Sequence, residues 1–153
     1  VLIKPDGVQR GIIGDLISRF EKVGLKISAS KLVHIDKAFA KKHYKAHVSK
    51  EFYKGLEESI TSGPVMAIVF EGLHCIEIVR KIVGPTEPRT APPGTIRGDY
   101  SSHSYEYTDP KNIAIRNLIH ASTSKKEADD EIKLWFSEGE IFDYDLVHEK
   151  HTR

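Results

Sequence analysis

Apolar residues form short continuous runs at four places along the chain. The clearest run covers residues 65–70, and shorter ones occupy residues 1–3 and parts of 25–35. Runs of this length, bounded by Gly, Pro and polar residues, are typical of buried strands. A fourth, brief run lies at residues 118–119, directly before a histidine. The pattern therefore predicts about four strands.

Between these runs, apolar residues recur at the three- and four-residue spacing of amphipathic helices. Gly24 is placed to end the first helix, and Asp36 to cap the second. Ser124 and Glu127 fit a capping box at the start of the last one. The predicted helices, in chain order, cover residues 12–23, 36–44, 51–61, 75–83 and 124–136.

Polar stretches rich in Gly and Pro separate these elements. Residues 4–11 and 86–96 are predicted to be loops, and residues 100–112 are polar and aromatic without a clear period. The mixed tail, residues 138–153, is expected to wrap a surface. No internal repeat or linker is visible, so we expect one domain over residues 1–153, a length that suits a single core.

Few strands and several helices indicate an α+β sandwich, with a small sheet covered on one face by helices, close to the split βαβ arrangement. A doubly wound nucleotide-binding fold is disfavoured, because the chain contains neither G-x-x-x-x-G-K-[ST] nor G-x-G-x-x-G. Phosphate would therefore have to be held by side chains. The candidates at the ends of elements are Lys4, Arg80 and Arg97.

The charge balance excludes a global field that would attract nucleic acid or a membrane surface. The chain has 23 basic and 22 acidic residues, a formal net charge of +1. No apolar run approaches the length of a membrane span. Cys75 is the single cysteine, which fits a reducing compartment. We therefore expect a cytoplasmic protein that requires neither a membrane nor a nucleic acid, and we expect native residues to precede Val1.

The candidate chemistry centres on His120, which ends the last predicted strand. Glu131 borders the apolar face of the helix that follows, so a helix folding back could present its carboxylate to the imidazole. A carboxylate on one ring nitrogen fixes the tautomer and makes the other nitrogen more basic. A histidine held in this way serves as a general base, a metal ligand or a covalent nucleophile, and these alternatives stay open on the pattern alone.

Several motifs follow one another along nearly the whole chain. They are Lys4-Pro5-Asp6-Gly7, His43-Tyr44, Pro93-Gly94-Thr95-Ile96-Arg97-Gly98-Asp99 and Asn117-Leu118-Ile119-His120-Ala121-Ser122, with Glu131 downstream. Each motif alone is weak, but together and in this order they resemble the nucleoside diphosphate kinase family. The resemblance implies a ferredoxin-like sandwich, with a small antiparallel four-stranded sheet covered by helices.

The resemblance also implies roles for individual residues. His120 is similar to the histidine that is phosphorylated, Glu131 to its orienting acid, and Ser122 lies next to that pair. Mg²⁺ is expected to arrive on the nucleotide phosphates, with no metal cage in the protein. The remaining implied site residues fall into a phosphate and ribose set and an apolar clip for the base: Lys4, Tyr44, Arg80, Thr86, Arg97 and Asn117 for the first set, and Phe52 and Leu56 for the second.

Three features depart from the family pattern. Thr123 stands where relatives commonly have aspartate, which puts water-mediated help to the metal in doubt. Ala121 replaces a common glycine in the turn after His120. The segment from residue 99 to residue 116 is longer than in most relatives, and Ala114 is the nearest candidate for the second wall of the base clip. We expect this segment to be ordered, to pack against another subunit and to brace Arg97 and Asn117.

The activity implied by the resemblance is a reversible two-step exchange. A nucleoside triphosphate donates its γ-phosphoryl group to the imidazole, and a nucleoside diphosphate then collects it, with broad base specificity. The family also implies a homo-oligomer, for which a hexamer is favoured over a tetramer. The alternative is a catalytically reduced, kinase-like domain that acts as a regulatory or binding protein. A metal-site hydrolase is disfavoured because His43 and His47, the one i, i+4 histidine pair, lack an HExxH motif.

Overall fold

The computed structural model describes residues 1–152 and contains a four-stranded antiparallel sheet, whose strands in spatial order are residues 26–33, 65–71, 2–3 and 119–120. The strands are β1 (Leu2–Ile3), β2 (Lys26–Val33), β3 (Val65–Glu71) and β4 (Ile119–His120). β3 lies between β1 and β2, so the helical connection from β1 to β2 passes over an intervening strand, as in the split βαβ unit. The predicted ferredoxin-like α+β architecture is confirmed.

The predicted helices all form, within a few residues of their expected ends. In the described part of the chain the helices are α1 (Pro5–Gln9), α2 (Ile13–Glu21), α3 (Lys37–His43), α4 (Tyr53–Ile60), α5 (Cys75–Val83), α6 (Ile96–Tyr100), α7 (Tyr105–Thr108), α8 (Lys125–Trp135) and α9 (Glu149–Thr152). Three 3₁₀ turns lie at Pro88–Thr90, Asp109–Lys111 and Glu138–Glu140.

Two predicted loops contain short helices. α1 occupies the stretch after β1, where Pro5 at the first helical position has a φ that is already suited to a helix. α6 begins at the end of the proline-rich loop, because the Thr95 side chain caps it by accepting the Gly98 N–H. The prediction of an irregular loop is therefore wrong at residues 5–9 and at the 3₁₀ turn at Pro88–Thr90.

Helices cover both faces of the sheet, so the expectation of one covered face is wrong. Leu2 and Ile3 are neighbours on β1 and point to opposite faces. Ile3 packs in a core with residues of α2 and α5, such as Phe20 and Val79, whereas Leu2 packs in a second core that includes Trp135 of α8. The continuous apolar run of β3 reflects this, since a strand buried on both faces carries apolar residues on each.

The tail was predicted to wrap a surface, and its described part lies along β2, one of the two edge strands of the sheet. The Phe142 N–H donates to the Ser28 carbonyl (2.8 Å), and the Tyr144 hydroxyl donates to the Ile27 carbonyl (2.8 Å). Lys26, whose side chain is buried, bonds Asp143 at 2.9 Å. Arg153, the last residue of the predicted tail, lies outside the described residues.

None of the helices within residues 1–152 is both long enough and apolar enough to cross a membrane.

Candidate active site

The site is built where β4 ends and α8 folds back over it. The two elements place His120 Nε2 2.7 Å from Glu131 Oε1, which is hydrogen-bond distance. The hydroxyl of Ser122 donates to the other carboxylate oxygen at 2.6 Å. The structure thus brings together the histidine, the acid and the serine that the sequence singled out.

A cap at the start of α8 fixes the turn between these residues. The Ser124 side chain accepts the Glu127 N–H at 3.2 Å, as predicted. The other half of the predicted capping box is wrong, because Glu127 Oε2 accepts the N–H of Thr123 (2.6 Å) and the Thr123 hydroxyl. The residue that departs from the family pattern, Thr123, is therefore engaged with α8 at the edge of the site.

Glu131 is held ionised by its neighbours. Burial alone would raise the pKa of this carboxyl, but the hydrogen bond and charge of His120, the Ser122 hydroxyl and the nearby His43 outweigh it and lower the pKa to about 2. An ionised Glu131 accepts a hydrogen bond from the N–H at Nε2 of His120, which leaves Nδ1 as the nitrogen with a free lone pair.

His43, at the end of α3, lies against the pair formed by His120 and Glu131, and no role in the site was predicted for it from the sequence. Its side chain is only 1% exposed, and Nδ1 lies 3.6 Å from Glu131 Oε1. Trp135 Nε1 donates to the same nitrogen at 3.4 Å. The centroids of the His43 and His120 rings lie 5.0 Å apart, and the angle between the ring planes is 88°. Burial, followed by the charge of His120, lowers the pKa of His43 to about 4, so its imidazole is neutral near pH 7. The sequence did contain one indication of this position. His43 lies four residues after Phe39, a spacing that places it on the apolar face of α3.

The predicted basic residues surround β4 by bonding its main chain and its flanks. Lys4 Nζ lies 3.5 Å from the Ile115 carbonyl, and Arg80 Nη1 donates to the Ala121 carbonyl at 3.4 Å. Burial lowers the pKa of Lys4 to about 8, an effect that the charge of Asp6 partly offsets. Two of the candidate phosphate ligands thus lie against residues that precede and follow the strand that carries His120.

Arg97 forms several hydrogen bonds to main-chain carbonyls, which the sequence did not predict. Its guanidinium donates to the carbonyls of Gly84 (2.9 Å), Asn117 (3.3 Å) and Ile119 (2.6 Å). Burial, then the charge of Arg80, lowers the pKa of Arg97 to about 10, which still leaves it cationic at neutral pH. Two of its five N–H donors remain for a ligand.

Thr86 and Asn117, predicted to contact the phosphates and the ribose, lie side by side. Asn117 Nδ2 donates to the Thr86 carbonyl at 2.8 Å, and Asn117 is buried.

A row of ring contacts joins His120 to Phe52 of the predicted base clip. The ring of His120 neighbours that of His43. The row continues through Tyr44, His47 and Phe52, with successive ring centroids 4.6, 6.4 and 5.7 Å apart from His43 onward. Burial raises the pKa of the Tyr44 phenol, so its hydroxyl stays protonated and able to donate. The predicted catalytic and base-binding residues therefore lie along one connected path.

The predicted base clip has an exposed aromatic residue on one side and backbone on the other. Phe52, just before α4, is 54% exposed, and Leu56 lies one turn further along the helix. A Cβ added to Gly55 would lie 3.1 Å from the amide nitrogen of Ala114. Residues 112–114 thus pack directly against α4, which is where a second wall formed by Ala114 was expected.

One group of residues in the described part of the chain has the composition of a metal site. Ligand atoms of His43, His120 and Glu131 lie within 4.8 Å of one another. Two imidazoles and one carboxylate do not fit Mg²⁺, which prefers oxygen ligands in octahedral geometry. These residues therefore give Mg²⁺ no protein site.

The family comparison agrees with this geometry. The family model described as nucleoside diphosphate kinase matches residues 1–141. A nucleoside diphosphate kinase of Pyrococcus abyssi is 54% identical over 144 residues, which cover 94% of this chain and 86% of the relative. That of Borreliella burgdorferi is 47% identical over 148 residues, which cover 94% of this chain and 89% of the relative.

Solved structures give the same result. A transition-state mimic of the Borrelia burgdorferi nucleoside-diphosphate kinase, with bound vanadate and ADP, matches with a TM-score of 0.93 and 47% identity, covering 97% of this chain and 91% of that chain. A halophilic nucleoside diphosphate kinase from Halobacterium salinarum in complex with CDP matches with a TM-score of 0.88 and 41% identity, covering 99% and 95%.

Proposed function

The chain belongs to the nucleoside diphosphate kinase family, and we propose that it transfers the γ-phosphoryl group of a nucleoside triphosphate to a nucleoside diphosphate through a phosphohistidine at His120. It is a nucleotide phosphotransferase. The observation that carries the assignment to His120 is the 2.7 Å contact between its Nε2 and Glu131. That contact commits one ring nitrogen to the acid and leaves the other as the nucleophile.

In the first step, the lone pair of His120 Nδ1 attacks the γ-phosphorus, and the bond from phosphorus to the bridging oxygen of the β-phosphate breaks. The nucleoside diphosphate leaves with that electron pair. The imidazole gains positive charge, and the Nε2 proton shared with Glu131 stabilises it. In the second step an oxygen of a new diphosphate attacks the same phosphorus, the bond from phosphorus to Nδ1 breaks, and its electron pair returns to Nδ1, which regenerates the neutral imidazole.

Phosphoryl transfer leaves little bond chemistry to the protein, so alignment and positive charge dominate catalysis. We assign that charge to Lys4, Arg80 and Arg97, which all bond the main chain around β4. The protonated phenol of Tyr44 supplies a hydrogen bond. Ser122 keeps the Glu131 carboxylate oriented towards His120.

Broad base specificity follows from the make-up of the clip. Phe52 and Leu56 offer apolar contact and no hydrogen bond to a base edge, and apolar contacts discriminate by only about 1–3 kcal/mol. One solved relative holds ADP and another holds CDP, so the family accommodates a purine and a pyrimidine nucleotide. Mg²⁺ enters with the nucleotide, bound to its phosphates.

The wider setting is also part of the proposal. We place residues 1–153 in one domain, in a cytoplasmic homo-oligomer, with a hexamer favoured over a tetramer. The alternative of a catalytically reduced binding protein is not favoured, because every predicted catalytic residue is present and His120, Glu131 and Ser122 are in contact.

The test is transfer of label to the protein itself. Incubation with γ-labelled ATP is expected to label the chain, with a bond that is lost in acid and kept in alkali, as for a phosphoramidate. His120→Ala should abolish exchange, and Glu131→Gln should slow it while nucleotide binding stays nearly intact. His74→Asn is the matched control, because it removes an imidazole that is 67% exposed and should change nothing. Normal turnover by His120→Ala would end the proposal.

A further inference from the structure

The strand that delivers His120 begins with a strained turn. Leu118 has φ of 70°, in the left-handed region that a residue with a Cβ rarely adopts. The Ile119 N–H donates to the Asn117 carbonyl at 2.8 Å. A positive φ together with a hydrogen bond across three residues defines the rare, strained form of the γ-turn. Asn117 and His120, both predicted to touch the nucleotide, flank this turn.

The segment after β1 holds the turn at its central residue. Asp6 Oδ2 accepts the Leu118 N–H at 3.0 Å, and the Lys4 N–H donates to the Leu118 carbonyl at 2.8 Å. A Cβ at Gly7 would lie 3.1 Å from that carbonyl. Both polar groups of the Leu118 backbone are therefore bonded to the same short stretch of chain.

Within residues 1–152 the Asp6 carboxylate has no other hydrogen-bond partner. Its Oδ1 atom is buried and unpartnered, and no side-chain cation there lies within ion-pair distance of it. A buried carboxylate oxygen costs free energy that a single backbone bond offsets only in part. In the described part of the chain, the one hydrogen bond of this carboxylate goes to the strained residue, Leu118.

We propose that Asp6 is a positioning residue for phosphoryl transfer, which holds the strained turn at Leu118 and so sets His120 relative to Asn117. This inference rests on the proposed function of His120 as the phosphoryl acceptor. Asp6 contacts neither His120 nor the reacting atoms, and it acts through the backbone between them.

The first test compares two substitutions of Asp6. Asp6→Ala removes the acceptor, and the rate of His120 phosphorylation in a single turnover is expected to fall about tenfold or more, with less than about threefold change in the Kd for ADP. Asp6→Asn keeps an acceptor oxygen and loses the charge, and it should stay within about threefold of the unmodified protein. If Asp6→Asn is as slow as Asp6→Ala, the charge of Asp6 near Lys4 and Arg97 is what matters, and the proposal is overturned.

The second test asks whether Asp6 works against backbone strain. Leu118→Gly and Leu118→Ala both remove the same core side chain, but only glycine removes the Cβ that disfavours a positive φ. Asp6→Ala should therefore cost much less in the Leu118→Gly background than in the Leu118→Ala background. An equal cost in the two backgrounds shows that Asp6 does not hold the strained turn, and it overturns the proposal.

If Asp6→Ala does not fold, the Leu118 amide of the unmodified protein carries the test. Slow hydrogen exchange and a downfield proton shift are expected for an N–H that donates to a carboxylate, and a rapidly exchanging amide overturns the proposal. Failure of the function itself is distinguishable. If the unmodified protein takes no label on His120, the proposed function fails, whereas labelling at equal rates with and without Asp6 defeats this inference alone.

Discussion

At the scale of single residues, His43 is a buried, neutral imidazole beside the histidine that we propose as the nucleophile. It receives the Trp135 N–H, faces the Glu131 carboxylate at 3.6 Å and packs edge to face with His120. A cation at this position would compete with His120 for Glu131. The pKa of about 4 keeps His43 uncharged at neutral pH, so the carboxylate stays with His120.

His43→Ala is therefore expected to slow phosphorylation of His120 by about ten- to a hundredfold, because His120 and Glu131 would both lose a neighbour that fixes their positions. His43→Asn keeps an acceptor near the position of Nδ1 and should recover part of the rate. Single-turnover kinetics give the rate, and the Kd for ADP serves as the control. Equal rates for the two variants and the unmodified protein would show that His43 is only a packing residue.

Lys4 gives the site a pH dependence. Its pKa of about 8 means that the free enzyme loses this positive charge as the pH rises through about 8. We expect kcat/KM for the nucleotide, which reports the free enzyme, to fall above that pH. Lys4→Arg should keep the charge and move the decline to higher pH.

The stability contribution of Lys4 has the opposite sign. Because the folded pKa lies below the unfolded value, the unfolded chain binds the proton more tightly between the two values. The contribution of Lys4 to stability should therefore rise with pH above about 8, while activity falls. Denaturant melts of the unmodified protein and Lys4→Met across this range check the sign. A parallel decline of stability and activity would contradict the assignment.

At the scale of elements, the base clip that we propose lies where α4 contacts residues 112–114. Gly55→Ala and Gly14→Ala make the same change in two helices, and alanine raises helix stability by up to about 1 kcal/mol in an open position. A Cβ at Gly14 meets nothing within 4 Å, so that variant should melt higher and bind nucleotide normally. At Gly55 the new methyl pushes on Ala114, so we expect weaker nucleotide binding. Unchanged affinity in Gly55→Ala would show that this wall does not touch the base.

The elements that carry strong periodicity were predictable from the sequence. α2, α4 and α5 each present one apolar face, and β3 is a continuous apolar run. The pairing of His120 with Glu131 was also predictable, since the cap at Ser124 fixes where α8 begins.

Other features were hidden because they depend on tertiary contacts. α1 is five residues long and carries no period, so Pro5 suggested a loop. A positive φ is unexpected for a leucine. Leu118 is held in this conformation by partners from the far end of the chain, so the local sequence could not predict it. The family resemblance predicted that Arg97 contacts phosphate. Its bonds to the carbonyls of Gly84 and Ile119 could be found only from the folded structure.

At the scale of the whole molecule, the long segment between residues 99 and 116 is tied to its own chain. Its two flanks meet where the Ser101 hydroxyl donates to the Arg116 carbonyl at 2.7 Å. The Arg89 N–H donates to the His103 carbonyl at 3.1 Å, and the Tyr105 N–H donates to Glu87 at 3.0 Å. These contacts support an ordered segment. Packing against another subunit stays a prediction.

Replacing residues 101–111 with a short glycine-serine bridge tests that prediction. We expect a smaller assembly, a lower Tm and weaker nucleotide binding, because the exposed rings of Tyr105 and Tyr107 would lose the partner that we assign to them. Mass photometry, calorimetry and ADP titration measure the three quantities. If all three stay as they are, the segment is a passive insertion.

The central claim is that Nδ1 of His120 carries the phosphoryl group, and one measurement addresses it directly. Protein labelled with ¹⁵N-histidine is phosphorylated with excess ATP, freed of nucleotide and examined by ³¹P and ¹⁵N NMR. We predict one phosphoryl group per chain, coupled to Nδ1 of His120, with Nε2 still protonated against Glu131 and with loss of the signal when GDP is added. A phosphoryl group on Nε2, on another residue or on none would contradict the assignment of His120 Nδ1 as the nucleophile.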